Sequence, residues 1–137
     1  MQNEGVQGGV RLLLRMEGAA LLALAVAAYG HWCVPQGQGW GLWAACFLLP
    51  DLALLAYLVG PRTGAACYNS THSLLGAVAC LCLALAGAGG YWLAAGLVWA
   101  AHIGFDRMLG YGLKYGSGFG HTHLGRIGRE RSSAKAE

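Results

Sequence analysis

Apolar residues fill this chain in four long runs, and the polar residues gather mainly in the gaps between them. A bilayer core of about 30 Å takes about 20 residues of helix. The runs, near residues 10–30, 40–58, 65–87 and 90–109, approach or reach that length. Helix-stopping strings separate them: Val34-Pro35-Gln36-Gly37, Gly60-Pro61-Arg62 and the glycine-rich turn at 87–90. Short connections make consecutive helices antiparallel neighbours. The pattern therefore predicts an all-α fold, a transmembrane four-helix bundle of up-down topology, as one domain over residues 1–128. After the fourth run, Gly110, Gly112, Gly116, Gly118 and Gly120 predict an ordered glycine-rich C-terminal loop. A disordered polar tail is expected over 129–137.

Composition strengthens this reading. Hydrophobic residues make up 56% of the 137 positions and charged residues 11%, outside the range of soluble domains. The bilayer is thus the first expected partner. The nine Lys and Arg residues are divided among the two termini and the connection between runs two and three. That spread offers no basic patch for nucleic acid. It also obeys the positive-inside pattern, which places both termini in the cytoplasm. Trp32, Trp40, Trp43, Tyr91 and Trp92 cluster at the opposite helix ends, as an aromatic belt would. Five cysteines without a CxxC pair read as small apolar packing residues. In run four, Gly96, Ala100 and Gly104 recur every four residues and predict close helix contact on that ridge. His102 and Asp106 fall on roughly the opposite face, so this helix is expected to have protein on both sides. Arg11 and Arg15 leave a second reading open for run one: the n-region of a cleaved signal peptide ending near Ala25-Val26-Ala27.

Ionisable residues at membrane depth mark bundle interiors, partners or water-filled cavities. Here they are Glu17, Asp51, His72 and the pair His102 and Asp106, with Asn69 one turn from His72. At about 1.5 Å of rise per residue, all five ionisable groups lie about 16–24 Å from the outer ends of their helices. One shared layer predicts one shared site. His102 and Asp106 are four residues apart and Asn69 and His72 three, so each pair projects from one helix face. Carboxylates and imidazoles on facing helices build metal sites in helical bundles, and this donor mixture suits zinc, iron or manganese. Asp51, His72, His102 and Asp106 are the expected ligands, and Glu17 the general base. Pro50 beside Asp51 predicts a kink that opens the backbone there. Tyr68, Asn69, His121 and His123 form a secondary polar set, with the two loop histidines as a lid or extra ligands. Arg62, Arg107 and Lys114 are candidates for binding an anionic head group. Local pairing offers a plainer account: Asp106 bridged to Arg15 or Arg62, Glu17 to Arg15, and His72 bonded to Asp51.

Several strings resemble the bacterial membrane family DUF4260. They include Arg15-Met16-Glu17-Gly18, Pro50-Asp51-Leu52, Gly60-Pro61-Arg62, Tyr68-Asn69-x-x-His72, Ala101-His102-Ile103-Gly104-Phe105-Asp106-Arg107 and His121-Thr122-His123-Leu124-Gly125-Arg126. The resemblance runs from Arg15 to Gly128 and implies a bacterial inner-membrane location, but it brings no activity. Pro50-Asp51, Thr71-His72-Ser73 and His102-x-x-x-Asp106 are also similar, in the same order, to motifs of membrane-bound metal-dependent hydrolases of the LexA-regulated type. The further His and Asp residues that accompany Pro-Asp in that family are missing here. These readings make a metal-dependent membrane hydrolase the leading expectation. Two alternatives use the same residues: a proton-coupled or small-solute carrier acting as a homo-oligomer, and a non-catalytic scaffold.

Overall fold

The computed structural model describes residue 6 and residues 8–127. The chain is an all-α bundle of four helices, as its apolar runs predict. The first comprises α1 (Gly8–Ala28), a π-helical turn (Tyr29–Cys33) and a 3-10 turn (Val34–Gln36). It ends later than expected, at Gly37, whose φ of 89° is left-handed. The second joins α2 (Trp40–Phe47) to a ten-residue 3-10 segment (Leu49–Leu58). The third joins α3 (Pro61–His72) to α4 (Leu74–Leu85). It starts earlier than the apolar run because Pro61 occupies its first turn, where a missing N–H costs nothing. The fourth is α5 (Gly90–Leu109), ended by left-handed Gly110.

Three of these helices, Gly8–Gln36, Trp40–Leu58 and Pro61–Leu85, are long and apolar enough to cross a membrane. The fourth is not in that set, although its twenty residues span about 30 Å at 1.5 Å each. Its character follows from its position: α5 packs against α1, α2 and α4, and nine of its residues are buried. A helix shielded by others can carry His102, Asp106 and Arg107. The outer helices present Leu24, Leu58, Leu75 and Leu85 to their surroundings, a surface suited to lipid chains and not to water.

Small residues set the helix spacing. A Cβ on Gly18 would lie 2.7 Å from Met108 N, and one on Gly104 2.7 Å from Leu22 N, so α1 and α5 meet backbone to backbone. The ridge read from the sequence is shared between two neighbours: Gly104 faces α1, whereas Gly96 faces Leu81 and Ala77 of α4. Ala25, Ala77, Ala100 and Ala101 fill the middle of the bundle. Tyr29, Cys33, Ala94, Leu97 and Val98 fill the end beside the tryptophans. All five cysteines are free; Cys33 and Cys80 are buried in the packing, whereas Cys67 and Cys82 are exposed.

The 3-10 segment packs against α3 as an antiparallel hairpin. With three residues per turn, positions three apart eclipse. Leu49, Leu52, Leu55 and Leu58 consequently form one exposed row, while Tyr57, on another row, lays its ring over Gly64 of α3. The loop after α5 is ordered to Ile127, with a two-stranded ribbon pairing β1 (His121–Thr122) and β2 (Gly125–Arg126). The expected polar tail at 129–137 lies outside the described residues.

Candidate metal centre

Two helices break where they supply a polar side chain. In the second, α-helix gives way to 3-10 helix at Leu48–Leu49, just before Pro50 and Asp51. Pro50 has no N–H to donate, so the ladder cannot continue unchanged. In the third, Ser73 adopts extended backbone (φ −84°, ψ 149°) immediately after His72. The exposed backbone groups find partners nearby. The Ser73 N–H donates to Asn69 O at 2.9 Å, and the Trp99 indole N–H donates to Thr71 O. The Thr71 hydroxyl lies within 3.2 Å of Pro50 O and 3.1 Å of Tyr68 O, tying one break to the other. Irregular backbone at membrane depth persists where protein groups satisfy it in this way.

Across from these breaks, unbroken α5 presents His102 and Asp106 from one face. The four side chains converge: one donor atom from each of Asp51, His72, His102 and Asp106 lies within 4.8 Å of the other three. His72 Nε2 is 3.0 Å from His102 Nε2, 3.4 Å from Asp51 Oδ1 and 3.4 Å from Asp106 Oδ2. His102 Nε2 is 3.5 Å from Asp51 Oδ1. Exposure of these side chains is 3% for His72, 2% for His102, 15% for Asp106 and 41% for Asp51. The group is therefore enclosed except at Asp51.

Supporting contacts orient each member. His72 Nδ1 faces Tyr68 O at 3.0 Å. A carbonyl only accepts, so Nδ1 carries the proton and Nε2 turns a lone pair toward the group. Tyr68 stacks on His72 with ring centroids 3.7 Å apart, and its hydroxyl donates to Asp106 Oδ2 at 2.7 Å. His102 sits edge-on to Phe47, and its buried Nδ1 has no hydrogen-bond partner among the described residues.

Other expected site residues are placed differently. Glu17 is exposed on α1 and stands apart from the four, so the layer read from depth does not bring it to the site. Its neighbour Gly18 is the residue that touches α5, and one step along a helix turns a side chain by about 100°. Asp106 bonds Tyr68 and not Arg15, whose Nε donates to Met108 O at 2.8 Å near the end of α5. That contact suits a cation at a helix C-terminus. His121 and His123 are not in the four-residue group. His121 Nδ1 pairs with Ser117, and His123 Nδ1 accepts the Leu113 N–H at 2.8 Å. Burial holds the His123 imidazole below the usual histidine range, with Arg107 adding to the effect.

Asn69 joins loop to helix. Its amide donates to Lys114 O at 2.8 Å and accepts from Lys114 N at 2.7 Å. Lys114, a candidate for holding an anionic head group, is buried, with Nζ donating to Phe119 O and lying over the Phe119 and Tyr68 rings. Burial lowers its pKa and the Asp106 charge opposes that shift. Arg62 is exposed at the start of α3, and Arg107 is half-buried on α5. The Ser73 break and the Trp99 contact were not foreseen; neither Gly nor Pro marks that position.

A multi-spanning helical membrane protein enclosing a carboxylate–imidazole group is the class that this fold and site define. The chain belongs to the DUF4260 family, described as a domain of unknown function, which matches residues 11–127. No curated protein and no solved structure matches the chain.

Proposed function

We infer that the protein is a membrane-embedded divalent-metal protein, with Asp51, His72, His102 and Asp106 as ligands, and that it acts as a hydrolase. The observation that carries the reading is the spacing of the four donor atoms. Tetrahedral zinc with bonds of about 2.0–2.1 Å separates neighbouring ligand atoms by about 3.3 Å. The closest pairs here lie at 3.0, 3.4, 3.4 and 3.5 Å. Charge supports it as well. Two neutral imidazoles and two carboxylates carry −2, which a divalent ion cancels and one proton only halves, and residual charge at this depth is costly. This weighs against a metal-free proton relay, the carrier reading. Zinc, iron and manganese all suit the donor set.

A divalent ion held by these four side chains would need one further position open to water, and it would then lower the pKa of that water and polarise the bond to be cleaved. The chain's own groups do the rest. Tyr68 fixes Asp106, Tyr68 O fixes the His72 ring, and Asp51, the most exposed member, keeps an oxygen open to accept a proton from entering water. The basic residues at the Arg15 and Arg107 end favour a cytoplasmic location for that end and both termini, in a bacterial inner membrane. Elemental analysis of protein purified in mild detergent without chelator tests the proposal. About one equivalent of zinc, iron or manganese is expected, falling to near zero in His72→Ala and His102→Ala. Metal-free parent protein that takes up none on titration would rule the reading out.

A further inference from the structure

Three arginines meet where α1 passes the end of α5. On α1, Arg11, Arg15 and Gly18 follow one another at spacings of four and three residues and share the face turned to α5. A Cβ on Gly18 would lie 2.8 Å from Arg107 Cβ. One turn back, Arg15 Nε donates to Met108 O at 2.8 Å. A further turn back, Arg11 reaches past the helix end into the loop. Its Nη2 lies 3.5 Å from where a Cβ on Gly110 would be, and its Nη1 3.4 Å from one on Gly125. The contacts run in register, Gly18 on Arg107, Arg15 on Met108 and Arg11 on Gly110. The Arg107 charge is close enough to this loop to act on His123, two residues before Gly125.

Among the described residues no carboxylate neutralises these three cations. The ion pairs there join only histidines to Asp51 and Asp106. Asp106 is committed to Tyr68, and Glu17 is exposed on α1. Arg11 Nε is buried with no hydrogen-bond partner. The carbonyl end of α5 offers about half a negative charge against three positive ones. Guanidinium groups match phosphate oxygens in geometry as well as charge. The seam also borders lipid: Leu12, three residues from Arg15 on the helix surface, is more than half exposed, as is Met16. Basic pockets between spanning helices take anionic head groups from the bilayer. We propose that this seam binds an anionic phospholipid, its phosphate held by Arg11, Arg15 and Arg107 and its acyl chains in the bilayer beside Leu12 and Met16. The site is separate from the carboxylate–imidazole group and does not depend on a metal.

The test uses the full chain in a neutral detergent and follows the thermal unfolding midpoint during titration with dioleoyl phosphatidylglycerol, dioleoyl phosphatidylcholine or glycerol phosphate. Phosphatidylglycerol should raise the midpoint at concentrations where the other two do not. Arg11→Gln and Arg107→Gln should each raise the concentration giving half the shift about fivefold, the share of one arginine beside an anionic lipid. Arg62→Gln removes the same charge from the start of α3 and should leave that concentration unchanged. An equal response of all three variants would mean diffuse attraction to a basic surface and overturns the site. A matching shift from phosphatidylcholine or glycerol phosphate overturns the choice of ligand. Native mass spectrometry of the parent chain, taken from an equimolar mixture of the two lipids, serves where a variant fails to fold: preferential retention of phosphatidylglycerol is expected, and equal retention overturns the proposal.

Discussion

His102 and Asp106 stand on an uninterrupted helix, whereas Asp51 and His72 each stand at a break. The two halves of the site are built by different physics. On α5, spacing suffices: four residues of helix place both side chains on one face about 6 Å apart along the axis. The surrounding contacts are backbone on backbone, with Gly18 and Gly104 leaving no room for a methyl group. On the broken helices, position depends on side chains that satisfy released backbone groups, notably Thr71 and Trp99. One half is a rigid post, and the other is an adjustable pair of arms held to it through Tyr68 and Asp106. A metal bound as proposed would give those arms a common target.

The largest effect should come from wedging the post. Gly104→Leu forces α1 from α5, and overpacking of this kind costs about 1–3 kcal/mol, more where backbone meets backbone as here. Thermal unfolding in detergent should show the midpoint fall by many degrees, with loss of metal. A variant as stable as the parent would show that the close contact does not set the bundle. Next is the link between the halves. Tyr68→Phe keeps the stacking on His72 and removes the 2.7 Å bond to Asp106. Losing such a supporting bond weakens metal affinity about 10–100-fold. Competition against a chromogenic chelator measures it, and an unchanged affinity would deny Tyr68 its orienting role.

The smallest effect concerns the loop alone. His123 accepts the Leu113 N–H, and burial holds its pKa below the ordinary value of about 6.5. Between the two values the unfolded loop binds a proton that the folded loop refuses, so this contribution to stability is complete above about pH 6.5 and declines as the pH falls toward the folded value. Hydrogen exchange over residues 110–127 should accelerate on acidification, and His123→Gln should flatten that dependence. Exchange independent of pH, after correction for its intrinsic rate, would contradict the assignment.

Much of the fold was legible because lipid leaves few choices. Long apolar runs must become helices, and Pro35 and Pro61 punctuate them. The convergence of Asp51, His72, His102 and Asp106 was legible for a related reason: a buried Asp or His in such runs is costly enough to demand partners, and Pro50 flagged its own break. Glu17 shows the limit, since depth along a helix says nothing of azimuth and Gly18 took the inward direction. Ser73 shows another. Its break follows from tertiary partners on α5 and on the second helix, and those partners are scattered along the chain. Lys114 reads as a surface charge until Asn69 and two aromatic rings draw it inward.

X-ray absorption at the metal edge of loaded protein tests the central claim most directly. Two imidazole nitrogens at about 2.0–2.1 Å with carboxylate oxygens beside them are expected for zinc, and one imidazole should vanish from the shell in His102→Ala. A shell of oxygens only, or a spectrum identical in parent and variant, would contradict the account.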